Sequence, residues 1–346
     1  MRSYAIGHFL DVDGVSSHVI LHRRDAISNI GTVHIDVTYK DPAAAFSTAT
    51  PENGETVRFF DLGYNPVLDQ EMCLAELGRL FQLGTIEIYD HHTSWPPESR
   101  VYGFAKKMKV PRRGNNLERL CTSQILISHF NIWDETSMML ARTANASDFG
   151  STSPYHDILG EYAEELSLAV AGANARTTDL TALGIINWLS HSVGEVPYTS
   201  EDLLRSRSFW PNPFRDSAQS YRIEIAAAKP NLIKSCSLLE LRIGEKVLPT
   251  VIGFGDQLLY MKEGVATLMG AFPGSPIYAC IHPDGSIIFS RNTEEVNLAL
   301  LGTAFNGGGR EAGSGGFIPE DVKGKGQEAM IKEVTRIIKG ALANIS

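Results

Sequence analysis

The sequence predicts an α/β protein: a doubly wound, mostly parallel sheet followed by a smaller α/β C-terminal domain. Three observations predict it. Short apolar runs alternate with helical stretches over more than 100 residues at the start, the pattern of a parallel sheet wrapped by helices. Residues 155–195 then read as continuously helical. Beyond about residue 235 strand-like runs return, and IYACIHPDGSIIFS reads as a hairpin with Asp284-Gly285 at its turn. A chain of 346 residues suits about two domains. They are expected at 1–195 and 236–346. Residues 196–235 form the expected connector, where WPNPFRDSAQS interrupts the periodicity with its two prolines.

The elements follow in order. SYAIGHF is a strand that enters an acidic turn, and SSHVILHRRDAISNI is helical. VRFFDLGYNP is a strand reaching Asp61, and EMCLAELGRLFQLG is a helix with Met72, Ala75 and Leu80 on its apolar spacing. TIEIYDHH is the next strand and NNLERLCTSQILISHF the next helix. YHDILGEYAEELSLAVAG and TTDLTALGIINWLSHSVG supply the helical middle. In the second domain SCSLLELRIG and KVLPTVIGF are strands, VNLALLGTAF is helical, and QEAMIKEVTRIIKGALANI is a closing amphipathic helix.

Composition excludes several classes. Hydrophobic residues make up 43% and charged residues 21%, an ordinary globular mix. No run of about 18 uncharged apolar residues exists, so no membrane span is expected. MRSYAIGHFLDVDG turns acidic too early for a secretory leader, which leaves a cytoplasmic protein as the expectation. Cys73, Cys121, Cys236 and Cys280 are scattered without a CxxC, against disulfide or zinc frameworks. The net charge of -9 argues against a protein that coats duplex DNA. It still allows a small polyanionic substrate, because bound divalent cations invert the charge of an acidic pocket.

Acids and histidines gather where strands end. GHFLDVDG carries His8, Asp11 and Asp13; FFDLGY carries Asp61; YDHH carries Asp90, His91 and His92; ANASDFG carries Asp148. In an open α/β sheet the carboxyl ends of the strands share one crevice, so these residues can converge. Bare carboxylates at close range repel and raise each other's pKa. Divalent cations resolve the conflict. Mixed His/Asp ligation suits Mn²⁺, with Mg²⁺, Co²⁺ or Zn²⁺ behind it, and carboxylates can bridge two ions. Singly, each Asp before a turn also reads as a turn former or helix cap. A calcium loop is excluded, because its fifth and twelfth positions would be Val15 and His22.

At these residues the sequence resembles a known family. His8, Asp11-Val12-Asp13-Gly14, Asp61, Asp90-His91-His92 and Asp148 resemble motifs I to IV of the DHH phosphoesterases. That group includes RecJ-type exonucleases, nanoRNases, cyclic-dinucleotide phosphodiesterases and family II pyrophosphatases. GSIIFSRN and FNGGGREAGSGGF resemble the DHHA1 substrate-binding domain with its Gly-rich loop. There are two departures: His8 stands three residues before Asp11 rather than two or four, and Arg310 replaces the loop's usual histidine. Arginine grips phosphate bidentately but donates no proton near neutral pH.

The resemblance implies a DHH catalytic domain with two Mn²⁺ per subunit, Mg²⁺ or Co²⁺ being alternatives. One ion would take His8, Asp11 and Asp61; the other Asp13, Asp61, His91 and Asp148. Asp90 would orient His91, and His92 would reach the scissile phosphate. Ser290, Arg291, Asn292, Gly307, Gly308, Gly309 and Arg310 would bind substrate, with Phe305 and Phe317 available to stack on a base. Gly307-x-Gly309-x-x-Ala312 also fits a loose dinucleotide pattern, but a helical stretch rather than a strand precedes it. The basic run Lys106, Lys107, Lys109, Arg112 and Arg113 reads as solvated surface, or as a steering element if it borders the crevice.

The expected function is metal-dependent hydrolysis of short oligoribonucleotides, or of linear or cyclic dinucleotides, to mononucleotides. A RecJ-type exonuclease, a pyrophosphatase, polyphosphatase or nucleotide 3'-phosphatase, and a non-catalytic replication scaffold are the alternatives. The expected partner is the short nucleic acid itself, with no membrane; a homodimer is compatible with the family.

Overall fold

The structure, a computed structural model, describes residues 1–92, 95–110, 119–191, 210–243, 245–256, 259, 262–294 and 296–343. The chain divides into two compact units, residues 1–62 with 68–222 and residues 63–67 with 223–346.

The first unit is built on β1 (Arg2–Gly7), β2 (Gly31–Asp36), β3 (Thr56–Phe60), β4 (Thr85–Tyr89) and β5 (Lys107–Lys109), ordered β2-β1-β3-β4-β5. Every neighbouring pair is parallel. Tyr4, Ala5, Ile6, Phe59, Phe60, Ile88 and Tyr89 are buried, the near-continuous apolar reading of strands covered on both faces. The covering helices are α1 (Val12–Ile27), α2 (Pro42–Thr48), α3 (Glu71–Leu83), α4 (Thr122–Phe130), α5 (Glu135–Phe149), α6 (His156–Ala175) and α7 (Ala182–His191). Ile20 and Leu21 of α1 and Ile125 and Leu126 of α4 join Ala5, Phe60 and Tyr89 in one core cluster. The strand order turns back between β1 and β3, so the loops leaving those two strands part and open a crevice at their carboxyl ends.

A charged row crosses this sheet. Arg58, Glu87 and Lys107 are register partners on β3, β4 and β5. Buried Arg58 donates to Glu87 Oε2 at 3.0 Å and to Asp25 Oδ2 of α1 at 3.2 Å. Lys107 Nζ lies 3.1 Å from Glu87 Oε1. Lys107 and Lys109 of the basic run thus occupy an edge strand, where charge discourages pairing with another chain. Arg112 and Arg113 lie outside the described residues.

Three local expectations are corrected. GTVHID, not recognised in the sequence, is β2. On α3 the buried residues are Cys73, Leu74, Leu77 and Leu80, while Met72 is exposed. WPNPFRDSAQS does not interrupt a helix but starts one: α8 (Asn212–Lys234) runs through the second half of the expected connector. Pro213 falls in its first turn, where a missing N–H costs no hydrogen bond. Residues 196–209 lie outside the described residues.

The second unit contains β6 (Ser237–Ile243), β7 (Lys246–Phe254), β8 (Ile277–Ile281), β9 (Ser286–Arg291), β10 (Gly308–Gly309) and β11 (Gly313–Phe317) in the order β10-β11-β9-β8-β7-β6. The sheet is mixed, with β7 and β8 parallel and the other neighbours antiparallel. The helices are α9 (Lys262–Ala271), α10 (Leu298–Ala304) and α11 (Gln327–Ala343). α11 buries Val334, Ile338 and Leu342, four residues apart, in the core with Ile287, Phe289 and Phe305. The β8–β9 hairpin forms as expected: Gly285 takes φ +85°, and Asp284 Oδ1 accepts from the Ser286 N–H at 2.9 Å. Among the described residues no helix is long and apolar enough to cross a membrane.

Candidate metal centre

The ends of β1, β3 and β4 contribute side chains to one place in the first unit. His8 follows β1, Asp61 follows β3, and Asp90, His91 and His92 follow β4. Asp11 caps α1, accepting from the Gly14 N–H at 2.9 Å, and Asp13 sits in the helix's first turn. A Cβ on Gly14 would stand 2.2 Å from the His8 carbonyl oxygen, so only glycine lets α1 begin against that turn. Asp61 adopts φ +53°, a left-handed conformation that Asp tolerates better than most residues. Asp148, expected after a strand, comes instead from the last turn of α5.

The sequence-predicted acids and histidines of the first unit are brought together. Three groups each offer donor atoms within 4.8 Å of one another: His8, Asp11 and Asp61; Asp13, His91 and Asp148; and Asp61, Asp90, His91 and His92. Asp61 links them. Its Oδ2 lies 3.3 Å from His8 Nε2 and its Oδ1 lies 3.5 Å from His91 Nε2. His91 Nδ1 lies 3.5 Å from Asp148 Oδ2 and 4.0 Å from Asp13 Oδ2. Donors about 2.1 Å from a shared ion sit at most about 4.2 Å apart, so small closures suffice.

The electrostatics fit divalent cations. Burial first, and then Asp13, Asp11, Asp148 and Asp90, push the Asp61 carboxyl well above its ordinary range. Burial and then Asp148 push Asp13 up to about 7, against hydrogen bonds from Ser123 that lower it. Asp61 is 1% exposed, and its Oδ2 accepts no hydrogen bond among the described residues. A buried carboxylate oxygen in that state is costly. A hard or borderline cation bound by oxygen and imidazole donors removes that cost.

Asp90 departs from its expected role. Its Oδ1 accepts from His92 Nδ1 at 2.6 Å and from the His91 and His92 backbone N–H groups, and its Oδ2 accepts from Trp95 Nε1. It therefore orients the His92 ring, and touches His91 through the backbone. Burial, the largest influence, raises the Asp90 carboxyl, but the His92 charge and the His92 and Trp95 hydrogen bonds together hold it below its ordinary value. Trp95, Thr122 and Ser123 escaped the sequence reading. Thr122 and Ser123 open α4 and donate their backbone N–H groups to Asp13 Oδ2 at 2.6 Å and Oδ1 at 2.9 Å. Charge-bearing residues signal themselves in a sequence, whereas a Thr-Ser pair before an apolar helix reads only as a cap.

The residues expected to bind substrate in the second unit lie on or directly beside β9 and β10, near one edge of its sheet. Ser290 pairs with Gly313 of β11, and the Arg310 N–H donates to the Gly313 carbonyl at 2.7 Å. Arg291 donates to the Glu294 carbonyl at 3.2 Å, and Asn292 Nδ2 donates to Tyr278 Oη at 2.8 Å. Ser290 Oγ lies 3.3 Å from Met269 Sδ. Gly307 is buried, and a Cβ there would stand 1.9 Å from the Gly315 carbonyl oxygen. Gly309 takes φ +139°, and its Cβ would stand 2.5 Å from Ser314 Cα. These two glycines therefore allow close backbone packing, and Gly308 pairs with Gly315 between them. Phe305 is a buried core residue with its ring tilted 47° against Phe289, not a base platform.

No family model and no curated protein matches the sequence. Solved structures do. Exonuclease RecJ bound to manganese is similar over 97% of this chain and 89% of its own, with TM-score 0.55 and 13% identity. An exopolyphosphatase-related protein from Bacteroides fragilis is similar over 99% and 92%, with TM-score 0.51 and 11% identity. CDC45 from Entamoeba histolytica is similar over 97% and 95%, with TM-score 0.50 and 8% identity. The chain has a RecJ-like α/β fold over nearly its whole length.

Proposed function

We propose that the protein is a two-cation phosphodiesterase that hydrolyses short oligoribonucleotides, or linear or cyclic dinucleotides, to mononucleotides. One observation carries this reading: Asp61, buried and crowded by carboxylates, shares its two oxygens between a His8–Asp11 group and a His91–Asp13–Asp148 group. His8, Asp11 and Asp61 would hold one ion; Asp13, Asp61, His91 and Asp148 the other. Mn²⁺ suits this donor set best, with Mg²⁺ or Co²⁺ as substitutes. When bound, such a pair lowers the pKa of water and neutralises charge on phosphoryl oxygens.

The protein's own groups divide the remaining work. The Asp90 carboxylate fixes the tautomer and ring orientation of His92 through Nδ1. The proton passed to or from a substrate oxygen is then the one at Nε2. Trp95 holds Asp90 in turn. Arg310, in the second unit, would grip a phosphate as a fixed cation. The net charge of -9 favours a short substrate over a long polyanion.

The likeness of fold to an exopolyphosphatase-related protein supports a second reading, hydrolysis of phosphoanhydrides. A panel running from dinucleotides through long single strands to polyphosphate, with Mn²⁺ present, separates them. Mononucleotide release from di- to pentanucleotides supports the first reading; phosphate release from polyphosphate alone replaces it with the second. Degradation of long single-stranded DNA with the short oligomers left intact would mark a RecJ-type exonuclease.

A further inference from the structure

The start of α4 touches both ion-binding groups. Thr122 Oγ1 donates to Asp61 Oδ1 at 3.1 Å, while the Thr122 and Ser123 N–H groups hold the two oxygens of Asp13. Thr122 and Ser123 are wholly buried. A buried hydroxyl is committed to its partner, and this one is not needed to close the helix: the Cys121 N–H already donates to Gln124 Oε1 at 3.3 Å.

The geometry at Asp61 gives that hydroxyl a task. Oδ1 faces His91 Nε2 at 3.5 Å and Oδ2 faces His8 Nε2 at 3.3 Å. A carboxylate turns about its Cβ–Cγ bond with only a broad, two-fold preference. The left-handed backbone at Asp61 sets where the side chain starts, but not this angle. One oxygen tied to a rigid helix start does set it.

We infer that Thr122 is a positioning residue: its hydroxyl orients the Asp61 carboxylate so that a single side chain presents one oxygen to each ion of the pair. The inference rests on the two-cation reading above. Removing the hydroxyl while keeping the shape, as in Thr122→Val, leaves the carboxylate free to turn and both oxygens able to serve one ion. Thr122→Ser keeps the donor.

The test reads metal binding rather than turnover. The metal-free full chain is titrated with Mn²⁺, following heat and the electron paramagnetic resonance spectrum. The wild type is expected to take two Mn²⁺ as an exchange-coupled pair. Thr122→Val should bind the second ion about tenfold more weakly, the usual effect of losing such a support, and show separate ions; Thr122→Ser should restore the coupled pair. The metal-free melting temperatures of both variants report whether they fold. A Thr122→Val protein with wild-type affinity and a coupled spectrum would overturn the inference. So would equal weakening in both variants, which points to general damage at the helix start. A wild type that binds the coupled pair but cleaves nothing in the panel leaves the inference standing and refutes the proposed function. A wild type with no coupled pair overturns the inference whatever it cleaves.

Discussion

Asp61→Asn should stabilise the metal-free protein and abolish its stabilisation by Mn²⁺. Asparagine suits the site locally: it tolerates the left-handed backbone, and its Oδ1 can still accept from Thr122. What it removes is a buried charge. Asp61 is pushed well above its ordinary range by burial and then by Asp13, Asp11, Asp148 and Asp90. The neighbouring Asp13 is pushed the same way, from 3.8 to about 7, a shift of about 4 kcal/mol for that group alone. The sign follows from proton linkage. A carboxyl with a raised folded value keeps its proton in the fold after the unfolded chain has lost it. Its contribution is therefore full below the unfolded value and declines as pH rises through the window up to about 7 for Asp13. At about pH 8, removing this crowded buried carboxyl should stabilise Asp61→Asn by roughly 1–4 kcal/mol without metal, a rise in melting temperature of roughly 2–12 °C. Mn²⁺ at a hundredfold its dissociation constant should add about 2.7 kcal/mol to the wild type and little to the variant. Differential scanning fluorimetry in chelator and in Mn²⁺ reads both effects. A variant less stable than wild type in chelator, or an equal Mn²⁺ gain in both proteins, would refute the reasoning.

Other predictions follow from the same contacts. His92→Ala should keep two Mn²⁺ per chain but lose at least about 100-fold in turnover, whereas His91→Ala should lose metal; elemental analysis beside rate measurements separates them. His34, held to about 4 by burial and then His22, and His18, lowered well below its ordinary value by burial and then His34, belong to a neutral histidine cluster. A base with a lowered folded value stabilises fully above its unfolded value and loses that contribution as pH falls. The stability advantage of wild type over His34→Gln, from urea unfolding, should therefore shrink by about 2 kcal/mol between about pH 7 and about pH 5. Arg58→Met strips the guanidinium from buried Asp25 and Glu87 and should cost about 3–5 kcal/mol in the same assay.

The acids and histidines of the site were legible because a strand that ends in charge is conspicuous, and sheet topology brings such ends together. His8, Asp61 and Asp90 illustrate this. Asp148 was legible as a residue but not in its setting, since a helix end supplies it. The partner of Asp90 was not legible. A carboxylate followed by two histidines can turn to either ring, and the Trp95 hydrogen bond belongs with the arrangement that takes His92. β2 was missed because its residues are mostly half-buried at a sheet edge, without the apolar run of β1 or β4. In the second unit the glycine-rich run was conspicuous, but its packing was not legible. The carbonyl of Gly315, from a strand that sequence spacing does not reveal, stands where a Cβ on Gly307 would go.

Whether the residues around Asp61 hold a catalytic pair of cations is tested most directly by product analysis on a labelled diribonucleotide. The metal-free chain is incubated with the substrate before and after Mn²⁺ is added, with Asp61→Asn alongside. Mononucleotides should appear with the wild type only after Mn²⁺ is added, and not with the variant. An intact dinucleotide with Mn²⁺-loaded wild type, or equal cleavage by Asp61→Asn, would contradict it.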